Sequence, residues 1–407
     1  MEKTLKQLVE NEIRKNNGIL RLEPAWVARN FIPPGKRLGL PEDQYHLGDR
    51  GAICERWIGS TTSADNKAGV PNEGLSFIKM DDEERVTLKD AVDAHPELIL
   101  GKEYSKAHTG LKRLAKIFDY EDRLPYHIHQ MQHHASLVGR NSKDEAYYFP
   151  EGVDRGKHPE TFFGVHPHVA EQGNHEILLP HLTDWKDDKI LKHSFGYTQN
   201  TDDGFHVPSG TLHAPGTALT IELQEDSDVF AMMQARVGDT FISKDLLWKD
   251  VRKEDREKYG EKIILDMINW ETSGDPEFYK NRHTPPLLIE GTKTGSGEEH
   301  WIFYNTNKFS GKKLIIHPGG KFTSRDNGVY NILVWQGKGQ FGKLEIAARN
   351  TSAGKYDLDE LLVTRDCAVN GVDIENDGSE DLIIYKFFGP DVNPDVPILK
   401  SKLIYNS

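Results

Sequence analysis

The chain has 407 residues, of which 37% are hydrophobic and 28% charged, and its formal net charge is -13. This composition is typical of a globular protein and excludes a disordered or fibrous chain. At this length one hydrophobic core rarely suffices, so two domains are expected. The sequence has no run of about 20 apolar residues and no basic cluster of the kind that binds a phosphate backbone. We therefore expect neither a membrane span nor nucleic-acid binding.

The two cysteines, Cys54 and Cys367, lie far apart and outside any metal-type spacing. They exclude a disulfide framework and favour a reducing compartment. The N-terminal stretch MEKTLKQLVENEIRKNNG lacks the apolar core of a signal peptide, and its apolar residues lie on one helical stripe. We therefore expect an N-terminal helix and a cytoplasmic protein.

Helical patterns and loops alternate over roughly the first 120 residues. Apolar residues recur at helical spacing in 88–100 and 107–120, which predicts helices there. Further along, short runs rich in Tyr, Phe, Val and Ile alternate with turn residues. These runs are DEAYYF, ETFFGVH, GFHVPSG, ALTIELQ and DVFAMMQ. Their number and the frequent turns predict a β-barrel or sandwich.

The second half of the chain repeats this organisation after a helical break. Residues 244–270 return to a charged, helical pattern, and the Pro and Gly residues of 282–300 are typical of a linker. A second series of short strands follows. We therefore predict a helical extension and first barrel in 1–243, a helical connecting segment in 244–285, and a second barrel in 286–407.

Histidines at strand spacing provide the clearest chemical signal in the sequence. His127 and His129 are two residues apart, so their side chains point to one face of a strand. Glu145 lies in a following strand-like run, and His213 comes just after a Pro-x-Gly turn. Three imidazoles and one carboxylate converging from neighbouring strands suit Zn²⁺, Mn²⁺, Fe²⁺ or a similar ion. The sequence therefore predicts one metal site with these four ligands.

The other histidines have simpler interpretations in a chain that contains 18 of them. His133 and His134 have no paired position elsewhere, so we expect surface or wall residues. We expect the same of His166 and His168. His206 precedes the Pro-x-Gly turn, and two roles stay open for it: a proton carrier that lines the cavity, or a structural residue.

The order His-x-His, glutamate on a following strand, and Pro-x-Gly-x-x-His resembles the two signature motifs of the cupin superfamily. Four segments resemble type I phosphomannose isomerases more closely: ERWIGSTTSADN, IFDYEDRLPYHIHQ, KDEAYY and VPSGTLHAPGTALTIELQEDSDV. They span residues 50–230 in order, whereas from residue 290 onward the chain is similar only as a second cupin-like unit. The resemblance implies a mainly β fold with two cupin-type jelly-roll barrels, and with helical additions in the N-terminal part and between the barrels.

The resemblance also assigns metal ligands to individual positions. His129, Glu145 and His213 match zinc ligands of the family, and His127 stands where the family usually has glutamine. An imidazole nitrogen in place of an amide oxygen shifts the metal preference toward softer ions. We expect one divalent ion, zinc first, with Mn, Fe, Ni and Co as alternatives.

Two further matches concern catalysis. Lys143 matches the lysine before the glutamate ligand, and Glu222 matches the glutamate nine residues after the last histidine. In an isomerase these groups would shuttle a proton and hold a negative intermediate. A simple ion pair between Lys143 and Glu145, and a structural hydrogen bond from Glu222, are the alternatives.

Two positions depart from the family on the side that handles substrate charge and phosphate. Met232 stands where the family has a functional arginine, and Pro125 stands where it has a serine. Arg236, on the same run, is a candidate replacement for the arginine. These departures weaken the expectation that phosphomannose itself is the substrate.

The second barrel lacks a metal-binding pattern. In HPGGKFTSRDNGVYNILVWQGKGQFG the positions where a cupin has His-x-His and Glu hold Thr, Arg, Asp and Tyr. The segment DELLVTRDCAVNG, where Pro-x-Gly-x-x-His would fall, has no histidine, and His317 is alone. We therefore expect a metal-free barrel that serves as a packing partner or a substrate wall.

The resulting hypothesis is a metal-dependent aldose–ketose isomerase that resembles mannose-6-phosphate isomerase and acts on a phosphorylated or free carbohydrate. A metal cupin dioxygenase is one alternative, because three histidines and a glutamate also suit Fe²⁺ and O₂ chemistry. A non-catalytic sugar-binding bicupin is another, and the methionine at position 232 is the feature that favours it.

Overall fold

The computed structural model describes residues 4–66, 68–80, 85–349 and 358–399. The described chain is mainly β, in antiparallel sheets, which confirms the predicted fold class. The strands are Ile19–Glu23, Ala25–Arg29, Ala52–Ile58, Phe77–Ile78, Val86–Thr87, Leu114–Phe118, His127–Ile128, Glu145–Phe149, Glu160–Phe163, Phe195–Thr198, Asp203–Val207, His213–Ala214, Thr220–Gln224, Ala231–Met232, Arg236–Val237, Thr240–Phe241, Leu287–Leu288, Gly297–Phe303, Ser310–Ile316, Lys321–Ser324, Tyr330–Gln336, Lys338–Phe341, Leu344–Ala347, Glu360–Val363, Val372–Asn376 and Leu382–Phe388.

The helices are short. The α-helices are Leu5–Lys15, Leu88–Ala94, Pro96–Leu100, Lys102–Ala107, Gln132–Ala135, Pro167–Ala170, Leu179–Asp184, Lys253–Tyr259, Lys262–Asp266, Trp270–Ser273, Phe278–Arg282 and Arg365–Asn370. Turns of 3₁₀ helix are Glu42–Gln44, Gly48–Arg50, Ser136–Val138, His175–Leu178, Lys189–His193 and Lys244–Leu247. No helix of the described residues is long and apolar enough to cross a membrane.

The chain forms two compact units, each assembled from separate stretches of sequence. The histidine unit comprises residues 28–54 and 118–284 with the start of the C-terminal stretch from 398. The lysine unit comprises the described parts of residues 1–27, 55–117 and 285–397. The sequence-based division placed 1–243 in one part. That division stays a prediction; by their contacts, the N-terminal stretches 4–27 and 55–66 group with the C-terminal strands.

Two sheets of the histidine unit carry the predicted site. The order of the first sheet is Phe195–Thr198, Glu160–Phe163, His213–Ala214, His127–Ile128 and Ala231–Met232. In the second sheet Glu145–Phe149 pairs antiparallel with Asp203–Val207 on one side and with Thr220–Gln224 on the other. Aromatic and aliphatic side chains fill the core of this unit, among them Tyr126, Phe149, Phe163 and Phe205.

The lysine unit is built around longer antiparallel strands. Leu382–Phe388 pairs with Ser310–Ile316 on one side and with Tyr330–Gln336 on the other. A separate four-stranded sheet has the order Lys321–Ser324, Val372–Asn376, Lys338–Phe341 and Leu344–Ala347. The core of this unit is aliphatic with a few aromatic residues.

The helix predictions were confirmed in most segments. Thr4 and Gln7 form a reciprocal capping box at the start of Leu5–Lys15, and Val9 and Ile13 are the buried residues of that helix. The 88–100 segment forms two short helices that break at His95, because the following proline disfavours helical backbone at the preceding residue. Residues 244–270 contain short helices as predicted, separated by turns.

The predicted helix at 107–120 was wrong, because the segment contains the strand Leu114–Phe118. All five residues of that strand, Lys116 included, are buried, so neither face is exposed to solvent. A short apolar run buried on both sides carries no period that distinguishes a strand from a helix.

Candidate metal centre

Strand pairing brings the predicted histidines together. His213 lies directly opposite His127 in the antiparallel pair, and cross-strand partners project their side chains to the same face. The Pro-x-Gly turn before His213 requires glycine, because Gly210 has a φ of +79° and a Cβ there would lie 2.9 Å from Asn269. The turn is closed by a hydrogen bond from the Thr211 amide to the Pro208 carbonyl.

His127, His129 and His213 form one buried cluster, and one ligand atom from each ring lies within 4.8 Å of the others. Within the described ranges this is the only group of three or more histidine, cysteine or acidic residues with such spacing. Glu145 projects from the second sheet into the same place. Its Oε2 lies 2.9 Å from His129 Nε2, and its Oε1 lies 2.9 Å from His213 Nε2.

Backbone carbonyls fix the tautomer of each imidazole. The Nδ1 atom of His127 lies 2.6 Å from the Pro125 carbonyl, that of His129 2.7 Å from the Val229 carbonyl, and that of His213 2.8 Å from the Thr211 carbonyl. A carbonyl oxygen only accepts, so Nδ1 carries the proton in each ring and Nε2 keeps its lone pair. This is the arrangement in which a histidine binds a metal ion.

Nε2 of His213 faces Glu145 without a hydrogen-bond donor, whereas the Lys143 ammonium lies beside His129 Nε2 and Glu145 Oε2. Nε2 of His129 and of His213 are acceptors, and each faces an oxygen of the Glu145 carboxylate. His213 Nε2 is buried and makes no hydrogen bond. Two lone pairs that face each other in a buried site repel unless positive charge lies between them. The donor set of three imidazole nitrogens and a carboxylate therefore fits a divalent ion of the zinc type.

Electrostatics keeps His127 and His129 neutral and Glu145 ionised. Burial, with neighbouring histidines, lowers the pKa of His127 well below its ordinary value. Burial and the charge of Lys143 lower the pKa of His129 to about 4. Burial favours the neutral form of Glu145, but Lys143, His129 and His213 hold its pKa well below the ordinary value. These three ligands are therefore in their metal-binding protonation states near neutral pH.

Lys143 and Glu222 lie beside the cluster. Lys143 Nζ is 3.0 Å from His129 Nε2, 2.9 Å from Glu145 Oε2 and 3.3 Å from Glu222 Oε1. Burial opposes its charge, yet Glu145 and Glu222 together raise the pKa of Lys143 above its ordinary value. The structure thus places both predicted catalytic residues next to the four predicted ligands.

Tyr147 was overlooked as a functional residue by the sequence analysis. Its hydroxyl donates a hydrogen bond to Glu145 Oε1, and both residues are buried. Its strand position already indicated this, because Tyr147 is two residues after Glu145 and opposite Glu222. The backbone carbonyls that orient the histidines had no sequence signal, since they belong to any residue type.

The remaining predicted positions divide between the site and the rest of the unit. Met232 is buried and lies directly opposite His127 in its strand pair, so its side chain is beside the cluster. Arg236 is exposed at the start of another short strand. His206 is paired with Ala146, one residue from Glu145, so it projects to the opposite face of the sheet.

The two adjacent histidine pairs lie outside the cluster. His133 is exposed in the short helix Gln132–Ala135, and His134 Nε2 lies 3.1 Å from the Asp266 carbonyl. His168 is exposed and its ring stacks on the half-buried ring of His166.

Comparison with known proteins identifies the fold. No family model and no curated relative matches the chain. Solved structures do: mannose 6-phosphate isomerase from Bacillus subtilis matches with a TM-score of 0.60 and 15% identity, over 90% of this chain and 99% of that one. A single-site mutant of phosphomannose isomerase from Salmonella typhimurium matches with a TM-score of 0.61 and 12% identity, over 92% of this chain and 100% of that one.

A zinc-bound mannose 6-phosphate isomerase also matches, with a TM-score of 0.59 and 11% identity, over 92% of this chain and 100% of that one. At these identities the likeness concerns the fold alone. The protein therefore has a cupin-type fold of the kind found in phosphomannose isomerases, and it places a buried three-histidine cluster in that fold.

Proposed function

We propose that the protein is a metal-dependent sugar isomerase that interconverts an aldose and a ketose, as mannose 6-phosphate isomerases do. The observation that carries the proposal is the pair of buried contacts between the Glu145 carboxylate and the Nε2 atoms of His129 and His213, because both rings carry their proton on Nδ1 and their Nε2 atoms are acceptors. These contacts fit a bound divalent ion, and the charged residues beside them fit proton transfer. The fold shared with phosphomannose isomerases adds support.

His127, His129, Glu145 and His213 would hold the metal ion. When bound, such an ion supplies Lewis-acid polarisation of the carbonyl and hydroxyl oxygens of an open-chain sugar. The sequence-based assignment of these four ligands thus stands as the ligand set that we propose. Zinc is the first expectation from the donor set.

We assign proton transfer to Glu222 and charge stabilisation to Lys143. In this reaction the proton on C2 of the aldose moves to C1, and the hydroxyl proton on O2 moves to O1. Glu222 would accept the carbon-bound proton and return it to the neighbouring carbon. The ammonium of Lys143, which lies between Glu222 and Glu145, would stabilise negative charge that develops on the sugar oxygens.

The substrate that we favour is an unphosphorylated sugar. Met232 lies beside His127, at the position where the related sequences have an arginine. A buried methionine offers no charge to a phosphate group, and Arg236 is exposed. A neutral carbohydrate avoids burying a dianion beside an apolar side chain.

Incubation of the metal-loaded protein with free and phosphorylated aldoses and ketoses in deuterated water tests the proposal. We expect deuterium at C1 or C2 of a free sugar, read by NMR. Saturable sugar binding without deuterium incorporation would favour a binding protein. Tightly bound iron together with oxygen uptake would favour a dioxygenase.

Two variants separate metal binding from proton transfer. Glu222→Gln keeps the size of the side chain and removes its basicity, so the variant should retain the metal. Its rate of isotope exchange should fall more than about 100-fold. Met232→Arg restores a cation beside His127, and it should lower KM for the phosphorylated sugar relative to the free one. Full isotope exchange in Glu222→Gln would contradict the assigned role of the carboxylate.

A further inference from the structure

We propose that His181 and His193 form a second divalent-metal site in the histidine unit, with Zn²⁺ as its expected ion. The two residues are 12 positions apart in the chain and lie in different short elements. Neither belongs to the cluster of His127, His129 and His213.

The distance between the two rings carries the proposal. Nε2 of His181 lies 3.3 Å from Nε2 of His193. Two nitrogens that bind one tetrahedral zinc ion at about 2.0–2.1 Å lie about 3.3–3.4 Å apart, since the bond angle is about 109°. The observed separation is the one that a shared ion requires, without movement of either ring.

A direct hydrogen bond between the imidazoles is the competing explanation. A separation of 3.3 Å is long for such a bond, since N–H donors in proteins usually lie about 2.7–3.2 Å from their acceptors. A metal ion would therefore replace only a weak contact. Burial also lowers the pKa of both His181 and His193, which keeps both rings in the neutral form that a metal ion needs.

The backbone that carries the two rings is held by the core. Leu182, next to His181, is fully buried, and Ile190 is buried in the turn that ends at His193. Between them the Trp185 indole donates a hydrogen bond of 2.8 Å to the Ile242 carbonyl. The backbone positions from which both rings project are therefore set by packed core residues.

The site would be open to solvent, unlike the first one. His181 and His193 are half-buried, and no third histidine, cysteine or acidic residue of the described chain completes a close group with them. Two protein ligands leave two tetrahedral positions for water. Further imidazoles are nearby: the His166 amide donates a hydrogen bond of 2.7 Å to the His193 carbonyl, and the His168 ring stacks on that of His166. We therefore expect weaker, exchangeable binding.

A zinc titration of the full chain by isothermal titration calorimetry tests the proposal, after the first site has been filled and excess ion removed. We expect one further equivalent of Zn²⁺ to bind. His181→Gln and His193→Gln should each weaken that second binding at least 10-fold while the first equivalent stays bound. Retention of the first equivalent shows that the variants are folded.

His133→Gln is the matched control, because it removes an exposed imidazole elsewhere in the same unit. It should leave both binding events unchanged. Absence of a second binding event in the unaltered protein, or its persistence in both His181→Gln and His193→Gln, would overturn the proposal. Neither result would affect the proposed isomerase, which depends on the first equivalent alone.

Discussion

Each unit of the protein buries a cluster of charged and polar side chains, and the two clusters differ in how positive charge is supplied. In the histidine unit, the ammonium of Lys143 faces two carboxylates, those of Glu145 and Glu222, and His213 Nε2 faces Glu145 without a hydrogen bond. In the lysine unit, two ammonium groups face two carboxylates. The first arrangement therefore has one more negative than positive charge among these groups, whereas the charges of the second are equal in number.

The lysine cluster lies among the core side chains of its unit. Lys386 Nζ contacts Glu299 and lies 2.9 Å from Asp326 Oδ2, while Lys312 Nζ lies 2.6 Å from Asp326 Oδ1. Ser324 donates a hydrogen bond to Asp326 and accepts one from Lys386. Two positive and two negative charges balance, and each group has a partner.

The comparison shows that a buried polar cluster indicates a ligand only when its own charges and hydrogen bonds do not balance. The lysine cluster balances, so no ion is needed to explain it. The expectation of a metal-free second barrel stays a prediction, and the ammonium groups in its core are consistent with it. Four predictions test this difference between the two clusters, in order from the largest expected effect to the smallest.

Removing a histidine-site ligand should have the largest effect. His213→Ala or Glu145→Ala removes a proposed metal ligand, and the affinity for metal should fall by more than about 100-fold, beyond the 10–100-fold typical of residues that only orient a ligand. Elemental analysis after gel filtration measures the loss. His133→Gln removes an exposed histidine and should keep the metal. A full equivalent of metal in Glu145→Ala would contradict the ligand set.

Breaking the lysine cluster should reduce stability without affecting the metal. Lys386→Met leaves Glu299 and Asp326 buried with less compensating charge, so the free energy of unfolding should fall by about 3–5 kcal/mol. Urea unfolding measures it. Lys321→Met, which breaks the exposed pair with Glu375, is the control and should leave the urea midpoint unchanged. Equal effects of the two variants would show that the buried cluster contributes no more to stability than an exposed ion pair does.

Acid should remove the contribution of the Asp326 charge to the free energy of unfolding. Burial opposes its charge, but Lys386 and Lys312 lower the pKa of Asp326 from 3.8 to about 2. A carboxylate whose pKa is lowered by folding stabilises the folded state at pH values above its ordinary pKa. That stabilisation is lost as the pH falls from about 4 to about 2. It amounts to on the order of 2 kcal/mol, since one pKa unit corresponds to about 1.4 kcal/mol.

Urea unfolding at several pH values compares the unaltered protein with Asp326→Asn. The difference between their free energies of unfolding should be constant from pH 7 to about 4 and should shrink below that value. Asp373→Asn, at an exposed position, is the control. A difference that does not change with pH would mean that the charge of Asp326 contributes nothing.

Tyr147→Phe should have the smallest effect. It removes the hydrogen bond to Glu145 Oε1 and leaves every proposed ligand in place, so metal affinity should fall about 10-fold. Competition with a chelator measures the change. Tyr148→Phe is the matched control, because the Tyr148 hydroxyl bonds to Asp202, away from the cluster. Equal affinities in the two variants would exclude a role for Tyr147 in orienting Glu145.

Much of the local structure followed from the sequence. The His-x-His spacing placed His127 and His129 near one another, and the Pro-x-Gly turn marked His213. The alternating side chains of the following strand placed Lys143, Glu145 and Tyr147 on one face. These features depend on neighbours in the chain, so periodicity and turn residues determine them.

The tertiary structure decided which of these groups meet. Strand register sets His213 opposite His127, across 86 positions of the chain, and Glu145 contacts His129 and His213 from another sheet. His133 lies six residues from His127 and is excluded, because it belongs to a helix.

The lysine cluster and the pair of His181 and His193 also depend on the tertiary structure. Lys386 and Glu299 are 87 residues apart, and no spacing rule connects them. The strand Leu114–Phe118, which resembled a helix, is a strand because its sheet buries it on both faces. Sequence periodicity fixes the direction of a side chain within its own element, whereas the pairing of elements fixes what that side chain contacts.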